Sequence, residues 1–183
     1  NLYYEDQLRR EWRREGHVGV IQGTTVLVIG LGDIGRTFAR KMKALGCYTI
    51  GIRRRISEKT VPEDAAADEI HGMDELDRLL PCADVVALSL PGNASTYHVL
   101  NRERIALLSP NAVVLNVGRG TAIDTDALSD ALYAGKIAGA ALAVTAPVPL
   151  PADHPLCRPL GALITPHISG RYSLPETLPQ ICG

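Results

Sequence analysis

A glycine-rich turn is the clearest sign of chemistry in this sequence. Three glycines in the spacing G-x-G-x-x-G follow a run of four apolar residues, 26–29, and an amphipathic stretch comes after them. In a strand–turn–helix unit the first glycine permits a tight turn and the second lets the backbone approach a pyrophosphate. The third lets the helix pack close to the strand. Free N–H groups and the positive end of the helix dipole would then hold the phosphates. The residues predicted to bind a dinucleotide here are Gly30, Gly32, Asp33, Ile34 and Gly35.

An arginine and a histidine, Arg119 and His167, each follow a short apolar run that is typical of a buried strand. A guanidinium suits a carboxylate, and an imidazole exchanges protons near neutral pH. Singly, Arg119 is as well explained as a surface arginine, and His167 as a loop histidine whose hydrogen bonds are satisfied. Both, however, fall beyond the carboxyl ends of strands, where parallel sheets bind ligands, and this favours a functional site. Further predicted cofactor contacts at strand ends are Arg53, Arg54, Leu90, Pro91, Val117, Gly118, Arg119, His167, Ser169 and Gly170.

Alternating strands and helices are expected to position these residues. The pattern predicts strands at 25–29, 48–52, 69–71, 83–90, 112–116, 137–144 and 162–165. It predicts helices at 1–15, 73–80, 102–108 and 124–134, and one after the glycine turn with the apolar stripe Ile34, Phe38, Met42 and Leu45. Short loops between alternating elements indicate a doubly wound parallel sheet, the α/β Rossmann fold with three α/β/α layers. With 183 residues, 46% of them hydrophobic, the chain suits one domain, 1–183.

Composition excludes several classes of partner. A net charge of −1 gives no electrostatic reason to expect nucleic acid or an anionic membrane. No apolar run approaches the roughly 18 residues of a membrane span, and no secretory signal is visible. The four cysteines are widely spaced without a C-x-x-C pair, which argues against a zinc site or a disulfide framework. We therefore expect a cytoplasmic protein.

Two later motifs carry a resemblance to a known family. They are N-V-G-R-G-x-x-x-D-x-x-A-L, beginning at Asn116, and P-H-I-S-G, beginning at Pro166. Placed after the glycine turn, they resemble the D-isomer-specific 2-hydroxyacid dehydrogenases, which include glyoxylate/hydroxypyruvate reductases and phosphoglycerate dehydrogenase. The resemblance implies that Arg119 holds the carboxylate and carbonyl of a 2-hydroxy or 2-oxo acid. It implies that His167 exchanges a proton with the 2-oxygen while hydride moves to or from a nicotinamide.

The same resemblance concerns the organisation of the chain. The family has a substrate domain formed largely ahead of its cofactor domain, so this chain is expected to be the cofactor domain alone. The predicted helix at 1–15 resembles the helix that links the two domains. Its apolar stripe, Tyr4, Leu8 and Trp12, is expected to be left exposed where a partner belongs. Since relatives dimerise through this domain, we expect a homodimer.

The chain departs from the family pattern beside the catalytic histidine. Val148 stands where the family has the carboxylate that orients and charges that histidine. Ala143 stands where a cofactor-side aspartate is usual, and Cys157 replaces an aromatic residue. The expected consequence is poor turnover.

The choice of cofactor follows from charge. An acidic residue after the second strand would accept hydrogen bonds from the ribose hydroxyls of NAD. Here that place is taken by Arg53, with Arg54 and Arg55 behind it. Arginines bind a phosphate well, so the sequence favours NADP over NAD; otherwise these arginines are merely solvated.

Two other interpretations compete with the enzyme. A catalytically inactive Rossmann module, which keeps the cofactor or serves as a scaffold or oligomerisation unit, is favoured by Ala143 and Val148. The enzyme is favoured by Arg119 and His167. A short-chain dehydrogenase or methyltransferase-like protein lacks support, because no Tyr-x-x-x-Lys is present and the late P-H-I-S-G stays unexplained.

Overall fold

The computed structural model describes residues 2–14, 19–54, 66–158 and 161–168. Within these ranges seven parallel strands form a sheet in the order β3-β2-β1-β4-β5-β6-β7. The strands are β1 (Thr25–Ile29), β2 (Tyr48–Arg53), β3 (Glu69–Gly72), β4 (Val85–Leu88), β5 (Val113–Asn116), β6 (Gly139–Leu142) and β7 (Ala162–Ile164). The helices are α1 (Leu2–Arg9), α2 (Asp33–Ala44), α3 (Leu76–Leu79), α4 (Arg102–Ala106) and α5 (Thr125–Tyr133). The predicted doubly wound sheet is confirmed.

The strand order reverses beside β1, which pairs with β2 on one side and β4 on the other. This reversal opens a crevice at the carboxyl ends of the strands, where open α/β sheets bind ligands. Strand β1 is buried on both faces, as a central parallel strand must be. Val26 and Val28 join a cluster against α2, whereas Leu27 and Ile29 join the larger core on the opposite face.

The predicted helix at 1–15 is wrong in extent. Helix α1 ends at Arg9, and Arg10 takes a left-handed φ of 58° that stops it. The chain then turns back, so that the Arg13 guanidinium bonds the buried Asp6 carboxylate. Trp12 therefore lies beyond the helix, 93% exposed, and does not extend the helical stripe. The spacing of four residues continued past the point at which the backbone ceased to be helical.

The buried face of α2 is also shifted from the prediction. The helix buries Gly35, Ala39 and Met42, whereas Ile34 is 60% exposed and Leu45 is 54% exposed. Small residues face the sheet because the helix lies close to it. Of the predicted stripe, Met42 is buried and Phe38 packs partly buried against the same cluster, whereas Ile34 and Leu45 face solvent.

The other predicted helices are recovered with changes. Asp124 caps α5 by accepting a hydrogen bond from the Ala127 N–H at 3.0 Å, and Gly135 follows with a φ of 62°, as expected. The predicted helix at 73–80 is instead two short 3₁₀ turns, Met73–Glu75 and Leu80–Cys82, on either side of α3. In the described ranges no helix is both long and apolar enough to cross a membrane.

Two aspartates join the amino ends of the strands. The Thr25 N–H donates to the Asp84 carboxylate at 2.8 Å, and the Thr49 N–H donates to the Asp68 carboxylate at 2.9 Å. Lys43, in the last turn of α2, places its Nζ 2.6 Å from the second oxygen of Asp68. The amino rim of the sheet is thus held by side chains that lie on the edge opposite the candidate site.

A histidine of the edge strand β3 lies between two carboxylates. His71 places Nε2 2.7 Å from Glu69 and Nδ1 2.9 Å from Glu75. These hydrogen bonds, Glu69 first, raise the pKa of His71 above its ordinary 6.5, although partial burial opposes them. Tyr48 and Arg78 bond the outer carboxylate oxygens.

We expect the stabilisation from His71 to be fully present below its ordinary pKa and to be lost as the pH rises through the raised pKa. The free energy of unfolding of the wild type should exceed that of His71→Gln by about 0.5–1 kcal/mol near pH 6. Near pH 9 the two values should be almost equal. Urea unfolding at both pH values measures this difference. Glu75→Gln, which keeps an acceptor oxygen but removes one of the two negative charges beside His71, should show a weaker pH dependence. A wild-type advantage of equal size at the two pH values would contradict the prediction.

Candidate functional site

The three glycines of the turn meet different surroundings. Gly30 has a φ of +100°, and a Cβ added there would lie 2.9 Å from Leu90. A Cβ added at Gly35 would overlap the carbonyl oxygen of Gly30. At Gly32, by contrast, an added Cβ would meet no described atom within 4 Å. The fold itself therefore requires the first and third glycines, whereas the second faces open space that a ligand can enter.

The amino end of α2 adds donors to this space. Gly32 precedes the helix, and no side chain in the described part of the chain caps it. Asp33 and Ile34, in the first turn, are exposed. Unpaired N–H groups at a helix start attract anions, so the turn fits the phosphates of a dinucleotide.

Ser89, which the sequence reasoning did not single out, fastens the turn to the neighbouring strand. Its hydroxyl donates to the Gly30 carbonyl at 2.7 Å, and its N–H donates to the Ile29 carbonyl at 3.1 Å. The next residue, Leu90, is buried against Gly30, and Pro91 is exposed. The one feature of the sequence that could have pointed to Ser89 is that it is a polar residue directly after the apolar strand β4.

Asn116 holds the turn that presents Arg119. Its side chain is buried, accepts from the Gly118 N–H at 3.0 Å and donates to the Arg119 carbonyl at 3.0 Å. A Cβ on Gly118 would lie 2.6 Å from the Leu90 backbone. Val117 is 45% exposed. The Arg119 side chain is exposed, and its Nη1 donates to the Gly118 carbonyl at 3.0 Å. Asn116 is the first residue of the N-V-G-R-G motif, but the sequence alone did not predict its role.

His167 follows β7 in a left-handed conformation. Its φ is 53°, and its N–H donates to the carbonyls of Ala143 at 3.1 Å and Thr165 at 2.9 Å. The imidazole is exposed. Because the backbone bonds to the end of β6, the ring is carried at the carboxyl edge of the sheet, as the sequence predicted.

An open groove of about 920 Å³ lies beside His167. Tyr4 and Leu8 of α1 form part of its wall, together with Val148, which is 62% exposed. No aspartate or glutamate is among the described residues that line it. Arg119 lies outside this lining, although its neighbour Gly120 packs directly on the Thr145 carbonyl at the groove wall.

The arginines after β2 are only partly described. Arg53 is the last residue of β2, half-buried and paired in register with Gly72 of β3. Arg54 follows it and is exposed. Arg55, Ser169 and Gly170 lie outside the described residues. Arg53 thus ends its strand at the edge of the sheet where β1 runs into the glycine turn.

Comparison with known proteins gives the family. The family model described as "D-isomer specific 2-hydroxyacid dehydrogenase, NAD binding domain" matches residues 1–169. The chain therefore belongs to the D-isomer-specific 2-hydroxyacid dehydrogenases, a family of oxidoreductases, and it is a domain that binds a nicotinamide dinucleotide. The resemblance expected from the motifs is confirmed.

Individual relatives agree. The chain is 37% identical over 161 residues to D-3-phosphoglycerate dehydrogenase of Methanocaldococcus jannaschii, covering 87% of this chain and 30% of that protein. A family protein from Aeromonas salmonicida superposes with a TM-score of 0.83 at 36% identity, over 99% of this chain and 56% of that one. A family dehydrogenase from Xanthobacter autotrophicus Py2, in complex with NADPH and MES, superposes with a TM-score of 0.84 at 30% identity. The match covers 99% of this chain and 72% of that one. The chain spans about half the length, or less, of the curated relatives it matches.

Proposed function

We propose that this chain holds NADP or NAD for hydride transfer to or from a small 2-hydroxy or 2-oxo acid, with residues 1–183 forming a single dinucleotide-binding domain. The observation that carries the proposal is the glycine turn. A side chain at Gly30 or Gly35 would clash with neighbouring atoms. Gly32, by contrast, borders open space at the start of α2, where no described side chain caps the helix. A protein that used these glycines only to fold would have no need for the second.

The chemistry assigned to this chain needs two side chains. When bound, the nicotinamide supplies or accepts the hydride. The Arg119 guanidinium would hold the substrate carboxylate, and its backbone is fixed by Asn116. The His167 imidazole would give a proton to the 2-oxygen in reduction and take it back in oxidation. Hydride reaches carbon and a proton reaches oxygen, so that a 2-oxo acid becomes a 2-hydroxy acid.

We expect tighter binding of NADPH than of NADH. Charge-assisted bonds from Arg53 and Arg54 to the 2′-phosphate should give about a tenfold preference. Calorimetric titration of both cofactors at low salt measures it, and added salt should weaken it. Arg53→Gln should reduce the preference, whereas Arg102→Gln, on α4 and paired with Asp130, should leave it intact. Equal affinities, or a preference for NADH, would refute this prediction.

A second candidate is a cofactor-binding module without catalysis. It is supported by the groove beside His167, where Val148 offers no carboxylate and the described lining is free of acids. Binding of NADPH without any turnover that depends on His167 would favour this function over the enzyme.

We further propose that the chain forms a homodimer. Tyr4, Leu8 and Trp12 are 63%, 67% and 93% exposed, which is costly for large apolar side chains to maintain in water. Sedimentation at micromolar concentration should give a dimer, and Leu8→Glu should shift it toward monomer. A wild-type monomer would rule the proposal out.

We also propose a reducing, cytoplasmic location. Cys47, Cys82 and Cys157 are free thiols, and the last two are exposed. Exposed free thiols suit a compartment that keeps cysteine reduced.

A further inference from the structure

We propose that Ser89 is a positioning residue for the phosphates of the dinucleotide, an inference that rests on the cofactor binding proposed above. Its hydroxyl holds the Gly30 peptide in the one orientation that keeps the Gly30 carbonyl oxygen out of the phosphate space. Ser89 acts through the glycine turn.

Both polar backbone groups of Gly30 are hydrogen-bonded, one to strand β2 and the other to the residue that follows β4. The Gly30 N–H donates to the Ile52 carbonyl of β2 at 3.0 Å, and the Gly30 carbonyl accepts from the Ser89 hydroxyl at 2.7 Å. Gly30 thus links the elements on both sides of β1, at the point where the strand order reverses. The link to β2 is made by the backbone, whereas the link through the Gly30 carbonyl depends on a side chain and can be removed.

The orientation matters because a carbonyl oxygen carries partial negative charge. The Gly30 oxygen lies directly against Gly35 of α2, and a Cβ built on Gly35 would lie 2.8 Å from the Ser89 Oγ. The oxygen is therefore enclosed between the helix and the hydroxyl. It is not among the atoms within 4 Å of the open position at Gly32. Turned toward that position, it would repel a phosphate.

Glycine alone cannot enforce this orientation. At a φ of +100° Gly30 occupies a region that glycine enters freely, and its peptide has other low-energy orientations because it lacks a Cβ. The hydroxyl supplies the missing constraint, since a hydrogen bond to the carbonyl is made in one orientation and lost in the others.

The test compares ligands that do and do not contain the diphosphate. Ser89→Ala should weaken binding of NADPH and of ADP-ribose by about 2- to 10-fold, the value of one hydrogen bond. Binding of adenosine, followed by NMR titration, should stay unchanged. Ser89→Cys, similar in size but a weaker donor, should fall between wild type and Ser89→Ala.

Ser109→Ala is the matched control. Ser109 also makes one hydrogen bond to the backbone, accepting from the Asn111 N–H at 3.2 Å, but it lies in the loop before β5, at the amino rim. This variant should bind ADP-ribose like wild type. Unchanged ADP-ribose affinity in Ser89→Ala, or an equal loss for adenosine, would overturn the positioning role while leaving cofactor binding intact. Failure of the wild type to bind NADPH and ADP-ribose would overturn the proposed function and this inference together.

Discussion

The 183-residue chain, supplied with NADPH, should reduce glyoxylate and hydroxypyruvate only slowly. Two losses contribute. The Val148 side chain accepts no hydrogen bond and brings no charge, so it cannot hold the His167 imidazole in one tautomer and orientation. A misoriented acid/base forfeits roughly the 10²- to 10⁴-fold that such catalysis contributes.

The open groove should cost more than the missing carboxylate. His167 is exposed beside a space of about 920 Å³, and the described residues form no closed, dry cleft around it that could orient a small acid. Positioning can contribute about 7 to 11 kcal/mol of a barrier, which exceeds the acid/base term. We therefore expect Val148→Glu to raise the rate by no more than about tenfold.

The loss of the near-ultraviolet absorbance of NADPH measures the rates of the unaltered chain and of Val148→Glu. His167→Gln should abolish whatever activity is seen, because a glutamine amide cannot exchange the proton. The matched control for the new glutamate is Leu163→Glu, which places a carboxylate elsewhere in the groove wall, at a side chain that is 55% exposed, and should restore nothing. Rapid turnover by the unaltered chain would overturn the expectation of poor activity.

The second large effect is expected from substitution of Gly32 in the glycine turn, which should weaken dinucleotide binding without lowering the stability of the fold. Gly32→Ala should unfold at the wild-type denaturant concentration, because Gly32 has a φ of −78° that alanine accepts and no described atom within 4 Å of the new methyl. The same methyl would occupy the space where the backbone approaches the phosphates. Dinucleotide affinity should fall by about 10- to 100-fold.

Gly35→Ala should lose both stability and dinucleotide binding. Its methyl would overlap the Gly30 carbonyl oxygen, so α2 would have to move away from the sheet. We expect a loss of about 3 kcal/mol in unfolding free energy, at the upper end of the usual cost of overpacking, together with loss of binding.

Urea unfolding and cofactor titration of both variants are the measurements. Gly19→Ala, at another position with no described atom within 4 Å, is the control and should change neither property. A Gly32→Ala protein that binds like wild type would show that the open space is not the phosphate site.

Prediction from the sequence succeeded where local backbone geometry requires a particular residue type. The glycine turn, the strand alternation and the Asp124 cap all follow from short-range rules of backbone geometry. It failed where the outcome depends on how closely two elements approach. The predicted stripe placed Ile34 on the buried face of α2, whereas the close contact between Gly35 and the Gly30 carbonyl puts Gly35 and Ala39 there and leaves Ile34 in solvent.

Other features depended on contacts across long sequence separations. The role of Ser89 needs a partner 59 residues away, and no spacing rule relates the two. The end of α1 was hidden for a related reason, since Arg10 leaves the helix while Trp12 keeps the spacing of the apolar pattern. Periodicity reports which residues are apolar, and it does not report where the backbone stops being helical.

The aspartates at the amino rim have a consequence for which properties of the chain can be changed independently. Asp68 and Asp84 join the strands on the edge that faces away from Gly32 and His167. An exposed groove residue such as Val148 can therefore be replaced without disturbing these hydrogen bonds. Substitutions that tune the chemistry of the groove and substitutions that tune the stability of the sheet are therefore separable, because they fall on opposite rims of the sheet.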